Sequence, residues 1–375
     1  MQFIDLKAQY AALKSEIDEG INNVLAHGQF IRGPEVAELE RELAEFVGTN
    51  HCIACANGTD ALQLAFMAYG IGQGDAVFCP DVTFIASVEP ACMLGATPIF
   101  CDIDKDSYNI CPESLERQIK AVIAEGEYTP KAVIAVDFLG NPANYDDICK
   151  ICGKYDIIVV EDAAQSFGAS ISGKRCGSFG AIATTSFFPA KPLGCYGDGG
   201  ALFINDDEIA AICRSICVHG KGPGGKYDNI RIGMNSRLDT LQAAILLPKL
   251  KALQAYEIDR RQEVAARYNK AFNSEFAVQF IAESSISTWA QYALLAKDTA
   301  QRNRIIAHLN DNKIPNMIYY PTPQHRLPVF VGVNNYGETF ENANDYCART
   351  FSLPMHPYLE VAEQDRIIRV VLEAV

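Results

Sequence analysis

Short β-branched runs separated by helix-length segments constrain this chain more than any other feature. Residues 53–56, 77–79, 98–102, 132–137 and 157–162 are apolar stretches of strand length, several broken by glycine or acidic residues. A helix is expected from Thr59 through Ala68, ending before Gly70, and Asp81 to Ser87 is expected to open another. The alternation runs to about Phe203 and predicts an α/β domain with a mostly parallel sheet. In open sheets of this kind ligands collect beyond the carboxyl ends of the strands. Residues 157–162 end in Glu161 and Asp162, and residues 132–137 end in Asp137, so strand-end carboxylates fall in that zone.

A lysine is set close by in an unusual frame. Ser186-Phe187-Phe188-Pro189-Ala190-Lys191-Pro192-Leu193-Gly194-Cys195-Tyr196-Gly197-Asp198-Gly199-Gly200 holds Lys191 between two prolines and a glycine-rich exit. The prolines fix φ and disfavour helix before them, and the glycines admit close neighbours. An ammonium confined there loses hydration, which lowers its pKa and frees the amine for Schiff-base chemistry; a snorkelling surface lysine is the alternative. A carboxylate beside a pyridine nitrogen and an amine at an aldehyde carbon are what pyridoxal phosphate needs, although Asp162 can equally cap a following helix. The strand, Asn57-Gly58 turn and helix start at Thr59 offer free amides and the positive end of a helix dipole to a phosphate; Thr59 as a mere N-cap is the plainer reading.

Asn57-Gly58-Thr59-Asp60-Ala61-Leu62, Glu161-Asp162-Ala163-Ala164-Gln165-Ser166-Phe167-Gly168, the Ser186 to Lys191 segment and Gly233-Met234-Asn235-Ser236-Arg237-Leu238-Asp239 together resemble the DegT/DnrJ/StrS nucleotide-sugar aminotransferases, nearly end to end. The wording around Lys191 is most similar to the members that aminate UDP-2-acetamido-2-deoxy-3-oxo-glucuronate for surface polysaccharide and O-antigen synthesis. The resemblance implies an aspartate-aminotransferase-type fold, pyridoxal 5′-phosphate, glutamate as donor and a homodimer with shared active sites. It makes Lys191 and Asp162 catalytic. It gives the cofactor Gly58 and Thr59 at its phosphate, Phe84 stacked on its ring, Gln165 at its ring hydroxyl, Ser186 as a further contact and Asn235 reaching in from the partner to the phosphate. Arg237, Tyr319, Tyr320 and His325 then face the substrate. Tyr319 stands where the glucuronate enzymes usually carry histidine; a phenol brings one hydrogen bond and no charge, leaving Arg237 and His325 as the available cations. Asp137 departs from the family's usual histidine, serine or small polar residue, and its role stays open.

The rest of the chain supplies setting. Its 375 residues, 49% hydrophobic, suit more than one domain, expected as 1–250, a large cofactor-binding α/β domain, and 251–375, a smaller α+β domain. A net charge of −14 argues against nucleic acid or an anionic membrane surface as partner. Thirteen cysteines, with Cys149 and Cys152 the one close pair, lack zinc spacing and read as reduced thiols, so no metal is expected. Without a basic, apolar leader after Met1 the chain is expected in the cytoplasm. Two amphipathic helices are expected before Gly28 and between Pro34 and Gly48, and residues 121–131 read as a surface excursion. Arg214, Lys221, Lys226, Arg231 and Arg237 surround a glycine-rich segment, read as a loop over an anionic substrate or as a plain solvated basic loop. A long apolar helix from Thr240 is expected to kink near Pro248, followed by a polar helix over 257–272, strands at 288–296 and 315–320, and helices at 298–309 and from Ala362. Three rival functions remain: amination of another 3- or 4-keto sugar, dehydration of a deoxysugar, which in relatives goes with histidine in place of the lysine, and a regulatory or binding protein on the same fold. A dinucleotide-binding oxidoreductase lacks its Gly-x-Gly-x-x-Gly.

Overall fold

The computed structural model describes every residue except Lys226. The chain begins with helices α1 (Leu6–His27) and α2 (Pro34–Val47), each stopped by a glycine in the left-handed region, Gly28 and Gly48. Strands and helices then alternate: β1 (His51–Cys55), α3 (Gly58–Ala68), β2 (Asp75–Pro80), α4 (Glu89–Met93), β3 (Thr97–Cys101), α5 (Pro112–Glu125), β4 (Thr129–Val136), α6 (Tyr145–Tyr155) and β5 (Ile158–Asp162). A small hairpin, β6 (Ser170–Ile171) and β7 (Lys174–Arg175), leads to β8 (Ile182–Ser186), β9 (Gly200–Ile204) and α7 (Asp207–Ile216).

Seven strands form one sheet in the order β1-β9-β8-β5-β4-β2-β3. Only β9 runs against its neighbours; β8, β5, β4, β2 and β3 pair in parallel. The sheet is buried on both faces because alternate strand residues serve different cores. In β4, Ala132, Ile134 and Val136 join one cluster with Leu62, Phe66 and Phe100, while Val133 and Ala135 join another with Leu115, Ile119 and Ile148. The expected mostly parallel α/β sheet is therefore present. Its parallel strands end together at Cys55, Pro80, Val136, Asp162 and Ser186, so the residues that follow gather at one edge.

The remainder follows as α8 (Thr240–Ala252), a π-helical turn (Leu253–Glu257), α9 (Ile258–Phe272), β10 (Ala277–Val278), β11 (Ser285–Ile286), β12 (Tyr292–Leu295), α10 (Thr299–Asp311), α11 (Glu341–Arg349), β13 (Thr350–Leu353) and α12 (Val361–Leu372). Strands β10-β12-β13 make a separate antiparallel sheet, and β11 adds to the β6-β7 hairpin. A third core of Tyr268, Tyr292, Leu309, Phe351 and Ile367 lies under this part.

Several expectations change. The backbone from Asp81 to Phe84 is not helical: Asp81 bonds Cys101 and Gln324 through its main chain, and only a 3-10 turn (Ile85–Ser87) precedes α4. The 121–131 stretch is on the surface as expected, exposed over 123–127, but it is no irregular excursion: Val122 lies in the buried stripe of α5, Gly126 caps that helix at φ 72°, and β4 starts at Thr129. Pro248 does not interrupt α8. Ala243, Leu246 and Leu250 pack against the sheet side and Ile245 and Ala252 against Leu13 and Ile17 of α1, and this two-sided burial outweighs a proline cost of about 3 kcal/mol. The irregularity falls instead in the π turn. Residues 315–320 form no strand, only a bridge between Met317 and Ser352, and the 288–296 strand starts at Tyr292. Helix α11 and strand β13 were not anticipated. Arg214 belongs to α7, bonding Glu40 at 3.0 Å and the Cys52 carbonyl at 2.9 Å, so it is not part of a basic loop. The part of the basic-loop expectation that falls on Lys226 lies outside the described residues.

Candidate active site

An anion cradle forms where β1 meets β8 through β9. Cys55 and Ser186 both pair with Gly200, and the chain turns at Asn57 into α3. Asn57, not Thr59, is the N-cap, its side chain accepting from the Asp60 amide at 2.8 Å. Close approach demands glycine here: a Cβ on Gly58 would lie 2.7 Å from the Ser186 Cβ, and one on Gly200 would lie 2.5 Å from the Asn57 carbonyl. The Gly58 and Thr59 amides thus start the helix with no partner from the chain ahead of them, beside the Ser186 hydroxyl. Among the described residues these amides have no partner, and at the positive end of an eleven-residue helix they suit a phosphate.

Lys191 follows in a loop closed on itself. Phe187 donates to Gly199 at 2.7 Å, Cys195 to Phe187 at 2.8 Å and Lys191 to Phe188 at 2.9 Å, all through backbone amides. The Lys191 side chain is half-buried, and burial lowers its pKa while the charge of Asp162 opposes that shift. Asp162 is the last residue of β5 and 6% exposed. Its Oδ2 accepts from the Ser87 hydroxyl at 2.7 Å and its Oδ1 from the Ala164 amide at 3.1 Å. No helix follows β5, so the capping alternative for Asp162 falls away. Phe84 presents an exposed ring 6.1 Å from that of Tyr320, and burial raises the Tyr320 pKa, with the charge of Asp162 adding to it. Gln165 uses its Oε1 to accept from the Leu139 amide at 2.7 Å, which leaves its amide nitrogen to donate. The cradle, Lys191, Asp162, Phe84, Gln165 and Tyr320 therefore share one end of the sheet.

Asp137 has a different job. It is fully buried and accepts from Ser166 at 2.5 Å, Tyr145 at 2.8 Å and the Ala143 amide at 2.8 Å. Burial pushes its carboxyl up to about 6 against those bonds, and burial followed by the Asp137 charge pushes Glu161 up as well. Glu161 points to the face of β5 opposite Asp162 and accepts from the amides of Phe179 at 2.7 Å and Gly180 at 3.2 Å. Asp137 thus ties β4 to the turn after β5.

The remaining candidates are spread more widely. Asn235 is exposed at the surface and accepts from Arg237. Arg237 lines one small cavity with Arg32, Glu40 and Arg214. Tyr319 is half-buried, 6.1 Å from Phe3, and its carbonyl accepts from Tyr346 at 2.8 Å. His325 is committed: its Nδ1 sits 2.6 Å from the fully buried carboxylate of Asp81, its Nε2 accepts from Arg326 at 3.3 Å, and its ring stacks on Phe340 at 4.3 Å. It is not a free cation for a substrate. Sequence reasoning missed Ser87 on Asp162 and Gln242, whose Oε1 accepts from the Tyr196 amide at 2.8 Å. Only the folded geometry brings these pairs together.

Comparison with known proteins agrees with this geometry. The chain is 47% identical over 365 residues to the UDP-2-acetamido-2-deoxy-3-oxo-D-glucuronate aminotransferase of Pseudomonas aeruginosa, covering 96% of this chain and 97% of that one. A crystal structure of a DegT DnrJ EryC1 StrS aminotransferase from Brucella abortus superposes with a TM-score of 0.97 at 47% identity, over 100% of this chain and 99% of that one. A Bacillus subtilis protein with bound cofactor PMP superposes with a TM-score of 0.90 at 26% identity, over 100% of this chain and 85% of that one. The model of the DegT/DnrJ/EryC1/StrS aminotransferase family matches residues 11–372, and the chain belongs to that family.

Proposed function

We propose that this chain is a pyridoxal-phosphate-dependent aminotransferase that moves the amino group of glutamate to a nucleotide-linked keto sugar, UDP-2-acetamido-2-deoxy-3-oxo-glucuronate, in surface-polysaccharide synthesis. The observation that carries this reading is a half-buried lysine fixed between prolines at the sheet end where the buried Asp162 carboxylate and a glycine-lined helix N-terminus also lie, burial lowering the lysine's pKa.

The residues present fit the cofactor. Bound pyridoxal phosphate supplies an electron sink for the electron pair left when a proton leaves the carbon bearing nitrogen. The Gly58 and Thr59 amides and the Ser186 hydroxyl hold the phosphate, and the Asp162 carboxylate keeps a proton on the ring nitrogen. Gln165 donates to the ring hydroxyl from its amide nitrogen, and Phe84 covers one face of the ring. Lys191 would hold the cofactor covalently through Nζ at rest. Freed from that bond, its amine would take the proton from the donor carbon and deliver it to the cofactor's aldehyde carbon, and then run the reverse transfer to the sugar carbon, a role in keeping with the lowering of its pKa by burial.

Arg237 offers a planar guanidinium to a carboxylate of glutamate or the sugar. The exposure of Asn235 is consistent with service to a second copy, in a homodimer with shared sites. We take residues 1–250 as the cofactor-binding domain and 251–375 as the small domain, and the cytoplasm as the place of action; among the described residues no helix is long and apolar enough to cross a membrane. A second reading, amination of a different 3- or 4-keto nucleotide sugar, is favoured by Tyr319 standing where a histidine is expected. The test is a panel of nucleotide keto-sugars with glutamate, following the visible absorbance of the lysine-bound cofactor. Bleaching by glutamate and recovery with the 3-oxo-uronate support the proposal; recovery only with other sugars shifts it to the second reading.

A further inference from the structure

A buried lysine lies behind the segment that carries Lys191. Lys249 is in the last turn of α8 and fully buried. Its Nζ donates to the Gly194 carbonyl at 2.6 Å and sits 4.1 Å from the centre of the Tyr196 ring. No carboxylate lies within ion-pair distance of it among the described residues. The titratable groups facing it are Cys195 and Tyr196 of the loop and Glu257 of the π turn. Glu257 is itself occupied, accepting from Gln9 at 2.9 Å and Tyr358 at 2.7 Å.

A position flanked by Leu246, Leu250 and Leu253 would be filled at lower cost by leucine or methionine, because a buried ammonium loses its hydration with only a carbonyl and an aromatic face in return. The amine therefore calls for a role that an apolar side chain cannot fill. Gly194 is three residues after Lys191, where the chain folds back so tightly that a Cβ would meet the Pro189 carbonyl oxygen at 2.4 Å. This fold-back aims the Gly194 carbonyl into the protein, where it needs a donor. Gln242, seven residues before Lys249 and so two turns away on the same face of α8, takes the Tyr196 amide. Helix α8 thus grips the loop at two consecutive points beyond Lys191, and Pro189 and Pro192 carry that restraint stiffly back to the reactive amine.

We propose that Lys249 is a positioning residue for the transamination, fixing the Lys191 segment through the Gly194 carbonyl so that Nζ of Lys191 stays in line with the carbon that exchanges its proton. The inference rests on the reading of Lys191 as the cofactor-binding amine. Burial lowers the Lys249 pKa to about 8, which marks how much hydration the site gives up to keep a donor there.

The test compares wild-type holoenzyme with Lys249→Met. A misplaced reactive group costs about ten- to a hundredfold in rate. The expected result is a fall of that size in kcat with KM for glutamate little changed, together with a displaced pH midpoint of the visible absorbance band, which reports the setting of Lys191. A variant with wild-type kcat and an unmoved midpoint overturns the inference, whatever its melting temperature. If Lys249→Met does not yield folded protein, Lys249→Gln, neutral and too short to reach the carbonyl fully, is read by the same two quantities. A wild type whose band glutamate fails to bleach refutes the aminotransferase reading itself; a bleaching wild type beside an unaltered variant refutes this inference alone.

Discussion

Gly58→Ala isolates the anion cradle from the rest of the site. The added methyl would lie 2.7 Å from the Ser186 Cβ and 3.2 Å from its Oγ, about 0.7 Å inside the 3.4 Å at which ordinary contact begins. Strand β8 cannot yield, since it is paired on both sides, with β5 and β9. The N-terminus of α3 must move outward instead. Overpacking of this kind costs about 1–3 kcal/mol of stability, but the sharper effect is on the phosphate, because the Gly58 and Thr59 amides retreat with the helix. Losing one charge-assisted bond is worth about 1.5–3 kcal/mol, or roughly ten- to a hundredfold in affinity. The assay is fluorescence titration of the apoprotein with pyridoxal phosphate and, in parallel, with pyridoxal, which has the same ring and aldehyde but no phosphate. Gly58→Ala should weaken the first by that factor and leave the second nearly unchanged. Equal losses for both ligands, or no loss for either, would refute the placement of the phosphate at this helix.

Other predictions address the remaining parts. Asp162→Asn should retain bound cofactor while kcat falls on the order of a hundredfold or more, because an amide cannot hold the ring proton; full activity would reduce Asp162 to a structural residue. Lys249 has a folded-state pKa of about 8 against an ordinary 10.5, so the folded chain releases this proton first and stability rises with pH between those values, by up to about 3 kcal/mol. The stability difference between Lys249→Met and wild type, from denaturant curves, should therefore shift in favour of wild type between pH 7.5 and 10; a constant difference contradicts the lowered pKa. Arg237→Ala should lower kcat/KM for the uronate about ten- to a hundredfold and spare its 6-hydroxyl counterpart. A wild type that prefers the uncharged sugar removes the uronate assignment. Mixing inactive Lys191→Ala with impaired Asn235→Ala should restore activity if sites are shared, since one site of each mixed dimer then carries neither lesion; no recovery despite proven subunit exchange assigns Asn235 to its own chain.

The sheet was legible because parallel strands buried on both faces must be short and apolar, and residues 132–137 and 157–162 proclaim that directly. The placement of Lys191 and Asp162 at one end of that sheet was legible for a related reason: a lysine framed by prolines and an acid at the end of a buried strand stand out from plain packing, and their roles rest on the proposal above. What escaped was decided by tertiary contact. Pro248 should break a helix, yet burial on two sides carries α8 through it. Asp81 to Phe84 has residues that start helices, but its main chain bonds to Cys101 and Gln324. Nothing near His325 in the sequence shows that Asp81, 244 residues earlier, holds its ring. Lys249 gave no signal at all, since one lysine in an apolar helix looks like any other until Gly194 is seen above it.

The most direct test of the central claim is to incubate the holoenzyme with ¹⁵N-labelled glutamate and UDP-2-acetamido-2-deoxy-3-oxo-glucuronate and to follow both products by mass spectrometry. The account predicts labelled 3-amino sugar and 2-oxoglutarate in equal amounts, with none from Lys191→Ala. Unlabelled sugar with wild type, or labelled amino sugar formed at wild-type rate by Lys191→Ala, would contradict it.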